Sequence, residues 1–225
     1  MSGLAGLGEG ERVQIVEAIV SRHSLRSTVR ITGVPQNRIK SLVMSLGPAC
    51  AKFQHDAFRC LPPARVEWRE AFAFRAKAGN TAVSLEYSRT TGSVWTLACL
   101  DRRTMLVPSW RIGPRSPATL ERLRADTACR YVGLTAGCHS ETEDEREVQF
   151  HVCPAWFAAL EHGFARKVER HAAVVALYFL YYNFSLILPE IGTTPAIAAG
   201  KATHVWSAAE IAALVPESPT RCSAG

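Results

Sequence analysis

Five residues in one short run, Gln36, Asn37, Arg38, Lys40 and Ser41, are of the types that contact DNA. Asn, Gln and Arg present paired donors and acceptors that match base edges, while Lys and Ser reach phosphate oxygens. Arg26 and Arg30 stand just upstream. From 18 to 55 the chain has no Asp or Glu, yet it carries Arg22, Arg26, Arg30, Arg38, Lys40 and Lys52. Uncompensated like charges repel one another, so such an interval suits a surface that faces a polyanion. The plainer alternative is a three-helix packing module with a solvated basic face.

Other groupings point to less. Cys138, His139, His151 and Cys153 are zinc-ligand types, but their spacing fits no common zinc motif, so they read as core or loop residues. Glu141, Glu143, Asp144, Glu145 and Glu147 form an acidic run that reads as a solvated loop. Gly-x-Ser-x-Gly is absent, and Gly3, Gly6, Gly8 and Gly10 lack the preceding strand and the Lys of a phosphate-binding loop. Phe157, Leu160, Phe164, Val168 and His171 recur at helical spacing, which core packing explains.

The elements that would position the basic run follow from periodicity and punctuation. Val13, Ile15, Val16, Ile19 and Val20 suit an amphipathic helix. Ser24 suits the N-cap of a short helix that buries Leu25, Val29 and Ile31. A turn at 32–34 uses Gly33, and Pro35 opens a helix with Ile39, Leu42, Val43 and Leu46 as its apolar stripe, ended by Gly47 and Pro48. Helix, short helix, Gly turn, helix is the helix-turn-helix pattern, here filling residues 1–60.

Leu61, Pro62 and Pro63 mark a boundary. Beyond it, strands are expected at 66–74, 82–87, 94–100 and 105–112, with a hairpin turn at 101–103. A helix follows over 116–127, a further strand at 131–135, a long helix over 155–187 and a closing helix over 207–214. This is an α/β order similar to a ribonuclease H-like core, assigned to 64–215.

Composition bounds the classes. The chain has 225 residues, 48% hydrophobic and 20% charged, which excludes a disordered or collagen-like protein. A net charge of +6 permits a polyanionic partner. Seven cysteines, an odd number without a Cys-x-x-Cys pair, read as reduced thiols in a cytosol. The start of the chain lacks a basic-then-apolar leader. The uncharged run 172–188 holds Asn183 and Ser185 and stops at Pro189, so it reads as a buried helix rather than a membrane span. The expected setting is cytoplasmic and DNA-associated, with no membrane partner.

Several segments together resemble the transposases of short bacterial insertion sequences. Ser24, Leu25 and Arg26 through Arg30, Ile31, Thr32, Gly33 and Val34, then Asn37, resemble their helix-turn-helix. Trp95, 97–101 and 107–110 resemble their second and third core strands. Lys167, Val168, Glu169, His171 and Ala172, then 175–179 and 181–184, resemble the long C-terminal helix, and 194–196 with 198–200 the motif after it. The most specific part runs from Tyr181-Tyr182-Asn183-Phe184 to Thr194-Pro195-Ala196. The resemblance spans about two-thirds of the chain and is uneven over 58–152. It implies duplex DNA as partner, and two Asp and one Glu holding two Mg²⁺ ions for phosphoryl transfer.

The sequence departs from that set. Arg69, followed by Glu70 and Phe72, stands where the first Asp belongs, and Ala136, before Gly137, where the second belongs. Glu145-Arg146 matches the Glu position by spacing, although Cys153-Pro154 interrupts a helix there, and Leu186 and Leu188 replace the family's Arg and His. A guanidinium cannot ligate Mg²⁺. The expectation is therefore a transposase homologue that keeps DNA recognition and has lost strand transfer, with no cofactor, and with Mg²⁺ only if the site is active. The residual catalytic candidates are Glu70, Asp101 and Glu145; no other metal site is expected. The alternative is a helix-turn-helix transcription regulator whose C-terminal part forms a homodimer, binding a pseudo-palindrome.

Overall fold

The structure, a computed structural model, describes residues 7–21, 23–75, 93–132 and 168–215. It begins with three helices: α1 (Glu9–Val20), α2 (Leu25–Thr32) and α3 (Gln36–Ala57). Ser24 caps α2, its Oγ accepting from the Ser27 N–H at 3.2 Å. Gly33 ends it at φ +69, where a side chain would be strained. The buried face of α2 differs from expectation. Leu25 and Thr28 are buried, whereas Ile31 is 56% exposed. Thr28 occupies the inward turn because its hydroxyl is satisfied by the Ser24 carbonyl at 3.1 Å.

α3 does not stop at Gly47-Pro48 but continues to Ala57. Proline removes one helical hydrogen bond, yet the carbonyl it would have used belongs to Met44, a residue on the exposed side of the helix. The apolar stripe runs on through Leu46 and Cys50 to the buried Gln54, and packing of that stripe overrides the local signal.

After the extended stretch 61–65 comes one antiparallel sheet in the order β1-β2-β3: β1 (Val66–Arg75), β2 (Ser93–Asp101) and β3 (Ser109–Gly113). Val66 faces Asp101 and Glu70 faces Leu97, with an irregularity between Phe72 and Phe74. β3 starts at Ser109, later than the expected 105. Asp101 Oδ1 accepts from the N–H groups of Arg103 (2.9 Å) and Thr104 (3.3 Å), and Met105 takes φ +57. The Leu106 carbonyl still accepts from the Asp101 N–H of β2 at 2.9 Å, but the Met105 carbonyl accepts from Tyr182 Oη and both backbone groups of Val107 bond Asn183, so most of this segment is satisfied by a helix rather than by a ladder.

α4 (Pro117–Ala128), capped by Ser116, lies on one face of the sheet. Arg124 covers Trp68, Thr119 meets Gly113, and Asp126 reaches Ser109 and Arg111. α5 (Val168–Phe184) lies on the other face, where His171 bonds Thr96 at 2.9 Å and Phe179 meets Trp110. α6 (Pro195–Ala198) and α7 (Ala208–Ala213) close the described chain. The result is mixed α/β, with a three-stranded antiparallel sheet and seven helices among the described residues. The expected strand at 82–87, the further strand beyond Val132 and the helical stretch 155–167, with Phe157, Leu160 and Phe164, lie outside the described residues.

α5 also packs on α3. A Cβ on Gly47 would lie 2.3 Å from Ala173 Cα, so only glycine permits this approach. Deeper in the seam, Gln54 Nε2 donates to the Ala176 carbonyl and Asn183 Nδ2 to Gln54 Oε1, each at 3.1 Å. At the opposite side, the buried Arg12 of α1 donates to the carbonyls of Ala212 and Val215 at the end of α7. One apolar core therefore runs from Ile15 through Leu46 and Leu177 to Leu100, without a break at 61–63. No helix among the described residues is long and apolar enough to cross a membrane; of the run 172–188 expected as a buried helix, 172–184 is helical and largely buried, and the helix ends at Phe184.

Candidate functional site

The basic N-terminal residues fall on outward faces. Arg26 and Arg30, four apart on α2, are both exposed. At the start of α3, Gln36 and Asn37 are exposed and Lys40 and Ser41 half-buried. Arg38 is half-buried and is engaged within the protein. The buried stripe of α3 points away from this set, so the polar residues are left by subtraction on the solvent side. Asn37, Ser41, Met44, Pro48, Lys52 and His55 recur at steps of three or four, and all but the half-buried Ser41 are exposed. They form one continuous outer face of α3.

The carboxylate positions do not come together. Glu70 and Asp101 share a sheet face but lie four ladder steps apart, because Asp101 faces Val66 and Glu70 faces Leu97. Four steps are about 13 Å, beyond reach of a shared ion pair of metals. Each carboxylate is also engaged. Glu70 is held by Arg115 through two contacts, 2.6 and 2.9 Å, and Arg115 stacks over Trp95 at 5.5 Å. Asp101 is 3% exposed and caps its turn. Arg69 stands on the opposite face, paired with Glu67, which also meets Arg102 at 2.9 Å. Two Mg²⁺ ions do not fit these residues. Ala136, Glu145, the acidic run 141–147 and Cys138, His139, His151 and Cys153 lie outside the described residues. Among the described residues, no group of three or more His, Cys, Asp or Glu is placed to hold a metal.

A second cationic cluster, absent from the sequence reading, forms where the end of α3 meets the end of α4. Arg130 is 5% exposed, and its Nε and Nη2 donate to Asp126 Oδ2 at 3.1 and 3.0 Å. The same Nη2 lies 3.2 Å from His55 Nδ1, while Arg59 Nη2 approaches His55 Nε2. Lys201 Nζ donates to the Arg59 carbonyl at 2.6 Å. Asp126 also accepts from Ser109 and pairs with Arg111 at 3.3 Å. Burial would push the Asp126 carboxyl up, but Ser109, Arg130 and Arg111 together hold it below its usual range. Loss of water, then Arg130 and Arg59, pull His55 below its usual value against Asp126 and Asp56. Only the 75-residue separation of His55 and Arg130 hid this cluster; no local pattern announces it.

The four described cysteines are free, and burial pushes the Cys50 and Cys99 thiols up to about 12, so these two pack as apolar groups. No protein-family model, curated protein or solved structure matches the chain.

Proposed function

We propose that the protein binds duplex DNA through a helix-turn-helix made by α2 and α3, and that it is an insertion-sequence transposase homologue whose abbreviated ribonuclease H-like core has lost strand transfer. The observation that carries the reading is the α2–Gly33–α3 unit. Its outer side bears Arg26, Arg30, Gln36, Asn37, Lys40 and Ser41 in an interval without a single acid. In this motif the N-terminal turn of the second helix enters the major groove while the first helix crosses the backbone. Asn37 and Gln36 then face base edges, and Arg26 and Arg30 face phosphates.

The ribonuclease H-like reading draws on strand order. Three antiparallel strands lead to α4, and the chain then meets Leu61, just ahead of β1, in a parallel bridge at Tyr131. Loss of chemistry draws on Arg69 at the first carboxylate position, on the Arg115 clamp over Glu70, and on the turn-capping role of Asp101.

The test uses the full chain and a random duplex pool at low ionic strength. Enrichment of a sequence, with affinity falling steeply as salt rises, is expected. Asn37→Ala should weaken the preferred duplex by roughly 5- to 100-fold, from about 1–3 kcal/mol per base contact, and leave non-specific binding nearly unchanged. Absence of association overturns the DNA reading. Sequence-specific cleavage of the selected duplex with Mg²⁺ or Mn²⁺ overturns the loss of chemistry.

A further inference from the structure

The cluster at the end of α3 has a donor mismatch. Arginine offers only N–H donors, and a neutral imidazole has one donor and one acceptor nitrogen. His55 has a guanidinium nitrogen at each of its ring nitrogens, Arg130 at Nδ1 and Arg59 at Nε2. In either tautomer, one ring N–H therefore meets an arginine N–H head-on. Protonation makes both contacts donor against donor. Arg130 Nη1, moreover, is buried without a hydrogen-bond partner. Four cations, Arg59, Arg111, Arg130 and Lys201, stand against two carboxylates, Asp126 and Asp56, and Asp56 is already paired with Lys52. What the cluster lacks is an acceptor with negative charge.

We propose that His55, Arg59 and Arg130, with Lys201 at the edge, form an oxyanion site that takes a phosphodiester group of the bound duplex, a second anchor besides α2 and the start of α3. An oxyanion accepts from the ring N–H and the facing guanidinium together, which removes the mismatch. The site lies on the same outer face of α3 as Asn37 and Ser41. Asn37 and His55 are eighteen residues apart, about 27 Å along the helix, so one duplex spans both. The anchor role rests on the DNA-binding reading above; the anion site itself does not.

Two measurements separate them. First, the His55 ring is followed by NMR, its signal assigned by loss in His55→Gln, while inorganic phosphate replaces chloride at constant ionic strength. Saturable shifts and an upward move of the His55 titration are expected, both abolished in Arg59→Ala. Arg130, Arg59, Asp126 and Asp56 face this ring, and in both salts their contributions are the same. Identical titrations in the two salts overturn the anion site. Second, the slope of log affinity against log salt for the selected duplex is compared between wild type and Arg59→Ala. A reduction by about 0.9 per lost phosphate contact, with sequence preference retained, is expected. An unchanged slope overturns the anchor. Phosphate saturation without any duplex association leaves the anion site standing and removes the DNA-binding reading. Arg59 is half-exposed, and thermal unfolding of Arg59→Ala close to that of wild type confirms that the fold is intact.

Discussion

Replacing Asn183 by Ala tests the seam between α3, α5 and the loop before β3. Asn183 is fully buried and makes three hydrogen bonds: Nδ2 to the Val107 carbonyl (2.9 Å) and to Gln54 Oε1 (3.1 Å), and Oδ1 from the Val107 N–H (3.0 Å). Only this orientation of the amide satisfies all three. Truncation leaves the two Val107 backbone groups and the Gln54 oxygen without partners, and Val107 and Gln54 are themselves buried. Each such group carries about 1–3 kcal/mol when stranded away from water. The total is about 3–9 kcal/mol, a large share of the roughly 5–15 kcal/mol that holds a domain folded. Chemical denaturation followed by circular dichroism should show that loss, with a thermal midpoint lowered by roughly 2–4 °C for each kcal/mol lost. A double-mutant cycle sharpens it. Gln54→Leu with Asn183→Leu should be less damaging than the sum of the single changes, because the Gln54–Asn183 pair disappears together. A loss below about 1 kcal/mol for Asn183→Ala, or strict additivity in the cycle, refutes the proposed network.

Two further outcomes follow from neighbouring contacts. Gly47→Ala places a methyl 2.3 Å from Ala173 Cα and 2.4 Å from its Cβ, both on a helix backbone or its first carbon. It should destabilise by about 1–3 kcal/mol or more despite the better helix propensity of alanine; a stabilised variant in thermal melts argues against this helix contact. His171, 1% exposed against Thr96, is held neutral, with burial lowering its pKa to about 4. Between pH 6.5 and 4 the unfolded chain binds a proton there that the folded chain does not. Stability should thus fall as pH drops through that window, by about 3 kcal/mol in all, and level off below it. His171→Gln should flatten that part of the stability profile, and an unchanged profile places the acid sensitivity elsewhere.

Much of the local structure was legible because its cause is local. Ser24, Gly33, Ser116 and Ser207 mark helix ends through bonds or backbone angles within three or four residues, and the structure places those ends there. The failures have non-local causes. Pro48 reads as a terminator until α5 supplies packing on both sides of it. The segment 105–108 reads as strand, yet the Met105 carbonyl and both backbone groups of Val107 are claimed by Tyr182 and Asn183, more than seventy residues away. Ile31 reads as core by spacing, but the inward place on α2 goes to Thr28. The same division governs the sites. The basic face of α2 and α3 is contiguous in sequence and was readable. The engagement of Glu70 by Arg115, and of His55 by Arg130, pairs residues 45 and 75 positions apart, and composition contains no trace of either.

On the DNA-binding reading proposed above, α3 has two duties whose requirements are opposed, and its sequence separates them by face rather than by length. A helix that reads DNA needs a polar outer side free of acids; Asn37, Ser41, Lys52 and His55 supply it around Met44 and Pro48. A helix that organises a core needs small and apolar groups inward; Ile39, Leu42, Leu46, Gly47 and Cys50 supply that. Because both faces persist along one uninterrupted helix, the outer residues take their positions from the seam with α5. Gly47 sets the distance of closest approach and Gln54 fixes the register through Ala176 and Asn183. Pro48 is compatible with this because it falls on the outer face, where its missing N–H deprives no buried carbonyl. The orientation of the proposed reading residues is therefore a property of the core, and through α5 it depends on the sheet. β2 and β3 back α5 through Thr96 and Trp110, and α5 in turn fixes the face that α3 presents.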